Sequence, residues 1–205
     1  MKRILVAWLL VLAACAARAQ DLGKAHLLVA KPELQGLYSR TALLVVPRDG
    51  QHLGFILNRA TQLKLGALFP DHAPSAKVVD PLYFGGPEMT GAIFAVVRRD
   101  PGVPSVPLCD GLFVSASAQA VDRIIEQTPN DARYFAGFVG WRPGELQKEI
   151  EAGFWYVADA DPAMVFAKDT DAMWEELVRR LGSYRSAGQL EVDPLPALAL
   201  LEALR

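Results

Sequence analysis

The sequence has little cysteine, little excess charge and no long apolar run. Its two Cys, Cys15 and Cys109, are too few for a disulfide framework or a Cys-rich metal site. Lys and Arg number 21 against 23 Asp and Glu, a formal net charge of −2. Without a basic excess to neutralise phosphates, the balance argues against a general nucleic-acid binder. No apolar run approaches the roughly 20 residues that span a bilayer as a helix. Internal repeats and low-complexity tracts are missing, and so are catalytic signatures. No Ser sits in a G-x-S-x-G elbow. His26, His52 and His72 are scattered without H-x-x-x-H or H-E-x-x-H spacing. The acidic pairs Asp159/Asp161 and Asp169/Asp171 lack the Gly and terminal Glu of a calcium loop. No metal or cofactor is expected. What is there is a chain of 205 residues, 52% apolar and 21% charged, the composition of a globular domain.

The first twenty residues differ from the rest. Lys2 and Arg3 precede eleven apolar residues, Ile4 to Ala14, the layout of a secretory signal peptide. Two cleavage sites are open. Leu12-Ala13-Ala14-Cys15 resembles the lipobox of bacterial lipoproteins, which makes Cys15 a lipidation candidate and 1–14 its signal. Ala17-Arg18-Ala19 fits the A-x-A rule for ordinary cleavage, which makes 1–19 the signal. Cleavage after Ala19 takes the formal charge from −2 to −5, and cleavage before Cys15 takes it to −4. The expected address is the periplasm, or the membrane through a lipid on Cys15. Cys109 then stands without a disulfide partner, beside Leu108 and an apolar run that suit a buried thiol.

Short β-branched or aromatic runs bounded by Gly, Pro or Asp read as strands. They are 26–30, 41–46, 53–58, 82–84, 92–97, 112–115, 134–138, 154–157 and 164–167. Asp49-Gly50 between two of them is a hairpin signal. Three helices are expected. Ser117 caps one running to Thr128. Pro143 opens one running to Ala152. Asp171 caps one carrying Trp174, Leu177, Val178 and Leu181, with Gly182 as its stop. Helices do not alternate regularly with strands, so the fold class is α+β in a single domain. Residues 183–205 read as a polar linker followed by a Leu/Ala-rich helix from Pro194 to Arg205. That helix is suited to packing on the body or on a second copy in a homo-oligomer.

Several segments in fixed order resemble the AlgH/YqgE family. The match opens with Gly23, Leu27-Leu28-Val29-Ala30-Lys31-Pro32-Glu33-Leu34 and Tyr38-Ser39-Arg40. It continues with Gly54-Phe55-Ile56-Leu57-Asn58-Arg59 and Tyr83-Phe84-Gly85-Gly86-Pro87. It closes with Gly137-Phe138-Val139-Gly140-Trp141, Pro143-Gly144-Glu145-Leu146, Glu149 and Gly153-Phe154-Trp155. The set spans about 23–182. The resemblance implies bent, partly coiled β-sheets with flanking helices and no established activity, and the family name suggests transcriptional regulation. Family members are typically cytoplasmic and lack a signal peptide. This chain also has Ala60 where Pro is usual, Glu145 and Gln147 where Gln and Glu are more typical, and an added C-terminal segment.

Three places can carry function, each with a plainer alternative. Asn58-Arg59 ends a strand, where Arg offers a fork for a carboxylate or phosphate; the alternative is a turn Asn and a surface-paired Arg. Gly85-Gly86-Pro87 can present backbone N–H groups to an anion, or simply form a tight turn. Gly140-Trp141 leads to a helix start at Glu145, where an anion can sit unless Glu145 itself satisfies the free N–H groups. These residues make a non-catalytic binding protein the leading expectation, with a protein or a small anionic ligand as partner. A hydrolase using Cys109 or a Ser with a His is the second reading, and a transcriptional regulator the third.

Overall fold

A computed structural model describes residues 21–189. The signal-peptide reading of 1–19, the lipidation candidate Cys15 and the helix at 194–205 lie outside the described residues. The strands are β1 (His26–Ala30), β2 (Ala42–Arg48), β3 (Gln51–Ile56), β4 (Tyr83–Phe84), β5 (Glu88–Val97), β6 (Val106–Cys109), β7 (Leu112–Ser115), β8 (Ala132–Trp141) and β9 (Trp155–Asp159). The helices are α1 (Leu65–Leu68), α2 (Ala118–Gln127), α3 (Glu145–Glu151) and α4 (Met173–Gln189). Short 3-10 turns occupy Gly36–Tyr38, Ala73–Lys77 and Pro162–Phe166. This is one α+β domain built on a curled, mainly antiparallel sheet.

The strand order is β6-β7-β5-β8-β3-β2-β1-β9, with β4 lying parallel beside β8. Strand β8 is the pivot. Its first half pairs with β5 from Ala132 to Ala136, and its end pairs with β3 from Val139 to Trp141. Between them Gly137 takes φ 69°, and the register with β5 slips between Glu88 and Ile93. A bulge of this kind sharpens local twist and lets a sheet curl. The curl brings its two end strands to one place: Leu108 and Cys109 of β6 and Asp159 of β9 line the same small cleft. No ladder joins those two strands.

Side chains alternate across the strands, so a curled sheet has an inside and an outside. Leu27, Val29, Leu44, Phe55, Phe94, Val96 and Phe135 face inward into one cluster. Leu28, Ala30, Leu43, Val45 and Ile56 face outward under α3, with Trp141, Leu146 and Trp155. A second outer cluster sets Val121, Ile124 and Ile125 of α2 against Ala95, Val97 and Tyr134. This double burial explains why β1 is buried at every position and reads as a continuous apolar run. One end of the inner cluster is closed by Val165, Met173, Trp174 and Leu177, and the Trp174 indole donates to the Ala30 carbonyl at 2.8 Å.

Local sequence rules account for most elements. Asp49 and Gly50 both take positive φ in the β2–β3 hairpin, whose register pairs Arg48 with Gln51. Ser117 caps α2 by accepting from Ala120 N at 3.3 Å. Several expectations change: α1 was not expected, and α3 begins at Glu145 after Gly144 rather than at Pro143. The segment 164–167 is not a strand: Asp161 accepts from Ala163 N at 2.9 Å, and with Pro162 it starts a 3-10 turn. Residues 106–109 form a strand that was not expected. Asp171 does not open α4, which begins at Met173. Nor does Gly182 stop it: the helix continues to Gln189, through the first part of the expected linker. Among the described residues no helix is long and apolar enough to cross a membrane.

Candidate functional site

Of the expected site residues, Asn58-Arg59 and Gly85-Gly86 come together, whereas Trp141 pairs with His52 toward the other end of β3, and most of their hydrogen-bonding capacity is used internally. Asn58 follows β3 and bridges the chain before β2. Its Oδ1 accepts from Ala42 N at 2.9 Å, and its Nδ2 donates to the Arg40 carbonyl at 2.9 Å. The Arg59 carbonyl accepts from Phe84 N, and the Gly85 carbonyl accepts from Ile56 N. The two expected segments therefore brace one another. Gly85 N donates to Ala136 O, so this N–H is not free for an anion. The glycines serve close approach: a Cβ on Gly85 would lie 2.3 Å from the Gly137 carbonyl oxygen, and one on Gly86 would lie 2.2 Å from Phe138 C. Pro87 is exposed beyond them.

Trp141 is buried rather than presented. Its indole donates to Glu149 Oε2 at 3.0 Å, and the Trp155 indole donates to the same oxygen at 2.9 Å. Glu149 was not among the expected site residues, yet it joins β8, α3 and β9. Burial, and secondarily Glu149 and Glu88, push the Tyr38 hydroxyl above its ordinary pKa. Gly140 is exposed one residue before Trp141. Glu145 Oε2 accepts from Arg142 N at 2.7 Å, so it caps its own turn. Arg59 keeps hydrogen-bonding capacity. It is half-buried, donates to Ser39 O at 3.2 Å and has its pKa lowered by burial. No carboxylate forms an ion pair with it among the described residues.

Nucleophiles and bases are mostly apart. The Cys109 thiol is half-buried, less enclosed than expected, and burial followed by Asp110 pushes its pKa up, away from an activated thiolate. His26 and His52 each donate from Nε2 to a backbone carbonyl, of Asp21 and Leu22. His72 does meet a serine. Its Nδ1 shares a hydrogen bond of 2.8 Å with Ser75 Oγ, and its Nε2 lies 3.8 Å from Glu126. Ser75 is completely buried and its N–H also donates to the His72 carbonyl, so the pair braces a 3-10 turn and offers no exposed nucleophile. No cluster of His, Cys, Asp and Glu among the described residues is arranged to hold a metal.

The inner face offers a different site. At the end of the curl remote from Trp174 the interior opens as a cleft of about 490 Å³, within the range of small-ligand pockets. Phe55, Phe94 and Val114 of the inner cluster form part of its lining, joined by Leu53, Val106 and Leu108. Phe55 and Phe94 pack at 5.8 Å between ring centroids. The lining carries one charged side chain, Arg48, and no carboxylate. Neighbouring polar groups are few: Ser105, and Ser117, whose hydroxyl is engaged at the α2 cap. Sequence reasoning did not find this cleft, because its lining comes from 46–55, Phe94 and 104–117, which only the fold brings together.

Comparison with known proteins agrees with the geometry. The AlgH-like family model, DUF179, matches residues 27–185. A UPF0301 protein of Chlorobium luteolum is 33% identical over 167 residues, covering 78% of this chain and 87% of that protein. A UPF0301 protein of Streptomyces coelicolor is 30% identical over 163 residues, covering 76% and 84%. The solution structure of the AlgH protein from Pseudomonas aeruginosa superposes with a TM-score of 0.64 at 24% identity, covering 85% of this chain and 96% of that one. A crystal structure of a protein from Corynebacterium diphtheriae superposes at 0.61 with 25% identity, covering 85% and 88%. The chain belongs to the AlgH-like DUF179/UPF0301 family.

Proposed function

We propose that this member of a family of uncharacterised function is an exported, non-catalytic binding protein of the cell envelope. The observation that supports binding is the cleft: an apolar interior left open at one end, with a single cation at its lip and no nucleophile–base pair in its lining. The reading of export rests on the Lys2-Arg3 start, the Ile4–Ala14 run and the two candidate cleavage sites. The native protein's intact mass tests it. A chain beginning at Gln20, or an acylated Cys15, is the expected result, and an uncleaved cytoplasmic chain overturns export.

Binding is tested by native mass spectrometry of the full chain isolated from its own cells. A non-covalent mass increment is expected that disappears in Val106→Trp, which fills the cleft. A bare chain, together with ester hydrolysis lost in Ser75→Ala or Cys109→Ala, would favour an enzyme instead. A second reading keeps a protein partner or small anion at Arg59, because that half-buried guanidinium has one backbone hydrogen bond and no ion-pair partner among the described residues. Loss of a partner in Arg59→Ala, with the cleft increment intact, would move the site there. DNA regulation is disfavoured by the acidic charge balance.

A further inference from the structure

The geometry points to a specific occupant of the cleft: we infer that it takes one fatty acid of about twelve carbons, its alkyl chain against Leu53, Val106 and Leu108 and its carboxylate at Arg48. This rests on the reading of the cleft as a binding site and names its ligand class. The first argument is polarity. A peptide in this cleft would bring an N–H and a C=O at every residue, and the lining has almost nothing to pair with them. Each unpaired group would cost about 1–3 kcal/mol. An alkyl chain brings none. The second argument is the edge. Strand β6 borders the cleft and, among the described residues, pairs only with β7, but Pro107 removes an N–H from it and Pro104 precedes it. An added peptide strand would find a broken ladder.

The third argument is charge. The lining contains one cation and no acid, so an amphiphile with a single anionic end complements it. Arg48 now pairs at 3.3 Å with Asp49, where both side chains are exposed. Exposed pairs of this kind are weak and exchange readily, so a carboxylate can replace Asp49 as the partner. The α2 N-terminus at Ser117 borders the same cleft without an acidic residue in its first turn, so no protein carboxylate there repels the headgroup.

Calorimetry on the full chain with sodium dodecanoate and with dodecanol decides the matter. Saturable one-to-one dodecanoate binding is expected. Shortening the chain to octanoate should weaken it by up to about four-fold for each methylene removed. Arg48→Glu should weaken dodecanoate about ten-fold or more and leave dodecanol unchanged. Val106→Trp should abolish both, and Ser105→Trp, in the loop, supplies the same blockade should the strand variant fold poorly. Absent dodecanoate binding overturns the inference. So does equal loss of acid and alcohol in Arg48→Glu, or unchanged binding in the blocked variants. A cleft-dependent mass increment of non-acyl chemistry would overturn the fatty acid while leaving the binding reading intact.

Discussion

Glu149 illustrates how one residue can carry the outer core. A single carboxylate oxygen accepts from two indoles, at 3.0 and 2.9 Å, and so ties the end of β8 to the start of β9. Removing it leaves two largely buried N–H donors without a partner, at about 1–3 kcal/mol each. Glu149→Ala should therefore lower stability by about 2–5 kcal/mol in urea unfolding. Glu149→Gln keeps a carbonyl oxygen that can accept both and should lose less than half as much. Equal losses would mean that charge, rather than the two hydrogen bonds, matters. Sequence alone does not show this role, since Glu149 is six residues from Trp155 and eight from Trp141 and only the fold brings the three together. Asn58 was visible as a strand-end residue for the same reason that its job was not: side-chain polarity is local, and hydrogen-bond partners are not.

Tyr134 adds a pH dependence at the same scale. Its hydroxyl donates to Pro129 O at 3.1 Å, and burial, then Asp131, pushes its pKa well above the ordinary value near 10. The unfolded chain then loses this proton at lower pH than the folded one. Stability from this residue is fully present below about pH 10 and is lost as pH rises further toward the folded value. Urea midpoints measured between pH 8 and 11 should fall, and Tyr134→Phe should flatten the part of that slope due to this residue. An unchanged slope in the variant would place the alkaline sensitivity elsewhere.

At the scale of elements, the backbone crossing of Gly85, Gly86 and Gly137 decides whether β8 can bend. Gly137 combines φ 69° with a Cβ position only 2.4 Å from the Gly86 carbonyl oxygen. Gly137→Ala adds backbone strain to a backbone clash, each about 1–3 kcal/mol. A fall in melting temperature of about 6 °C or more is expected for a domain of this size, and a change under 2 °C would show that the crossing is not tight in solution. Elements were legible where one local rule governed them. The Asp49-Gly50 hairpin, the Ser117 cap and the apolar run of β1 are such cases. Asp110-Gly111 is the same hairpin signal and turns β6 into β7 with both residues at positive φ. It was passed over because Pro104 and Pro107 hide the preceding strand. At 164–167 a four-residue apolar run does not distinguish strand from helix by periodicity, and the Asp161-Pro162 start carried the better information. Gly182 reads as a stop by propensity, yet lies within α4 near Tyr156, where tertiary packing outweighs the cost of a helical glycine.

At the scale of the molecule, the sheet is curled but not closed. The cleft opens between residues 46–55, Phe94 and 104–117, and nothing in the order of those stretches announces that they meet. The general α+β class was accessible from the pattern of elements, and the curl was not, because it depends on which strands pair. Strand β6 holds one neighbour and a proline, whereas β1 and β2 lie between neighbours on both sides. Hydrogen exchange should find the amides of Val106, Leu108 and Cys109 at least about a hundred-fold less protected than those of β1 and β2. Comparable protection would mean that a further chain or ligand covers this edge.

The gap between β6 and β9 has a mechanical meaning. A closed barrel has a girth set by its strand number and shear, and it cannot widen without breaking a ladder. Here a seam runs down one side, with the bend at Gly137 across from it, so the sheet is a clasp rather than a ring. Its girth is therefore not fixed by a continuous ladder.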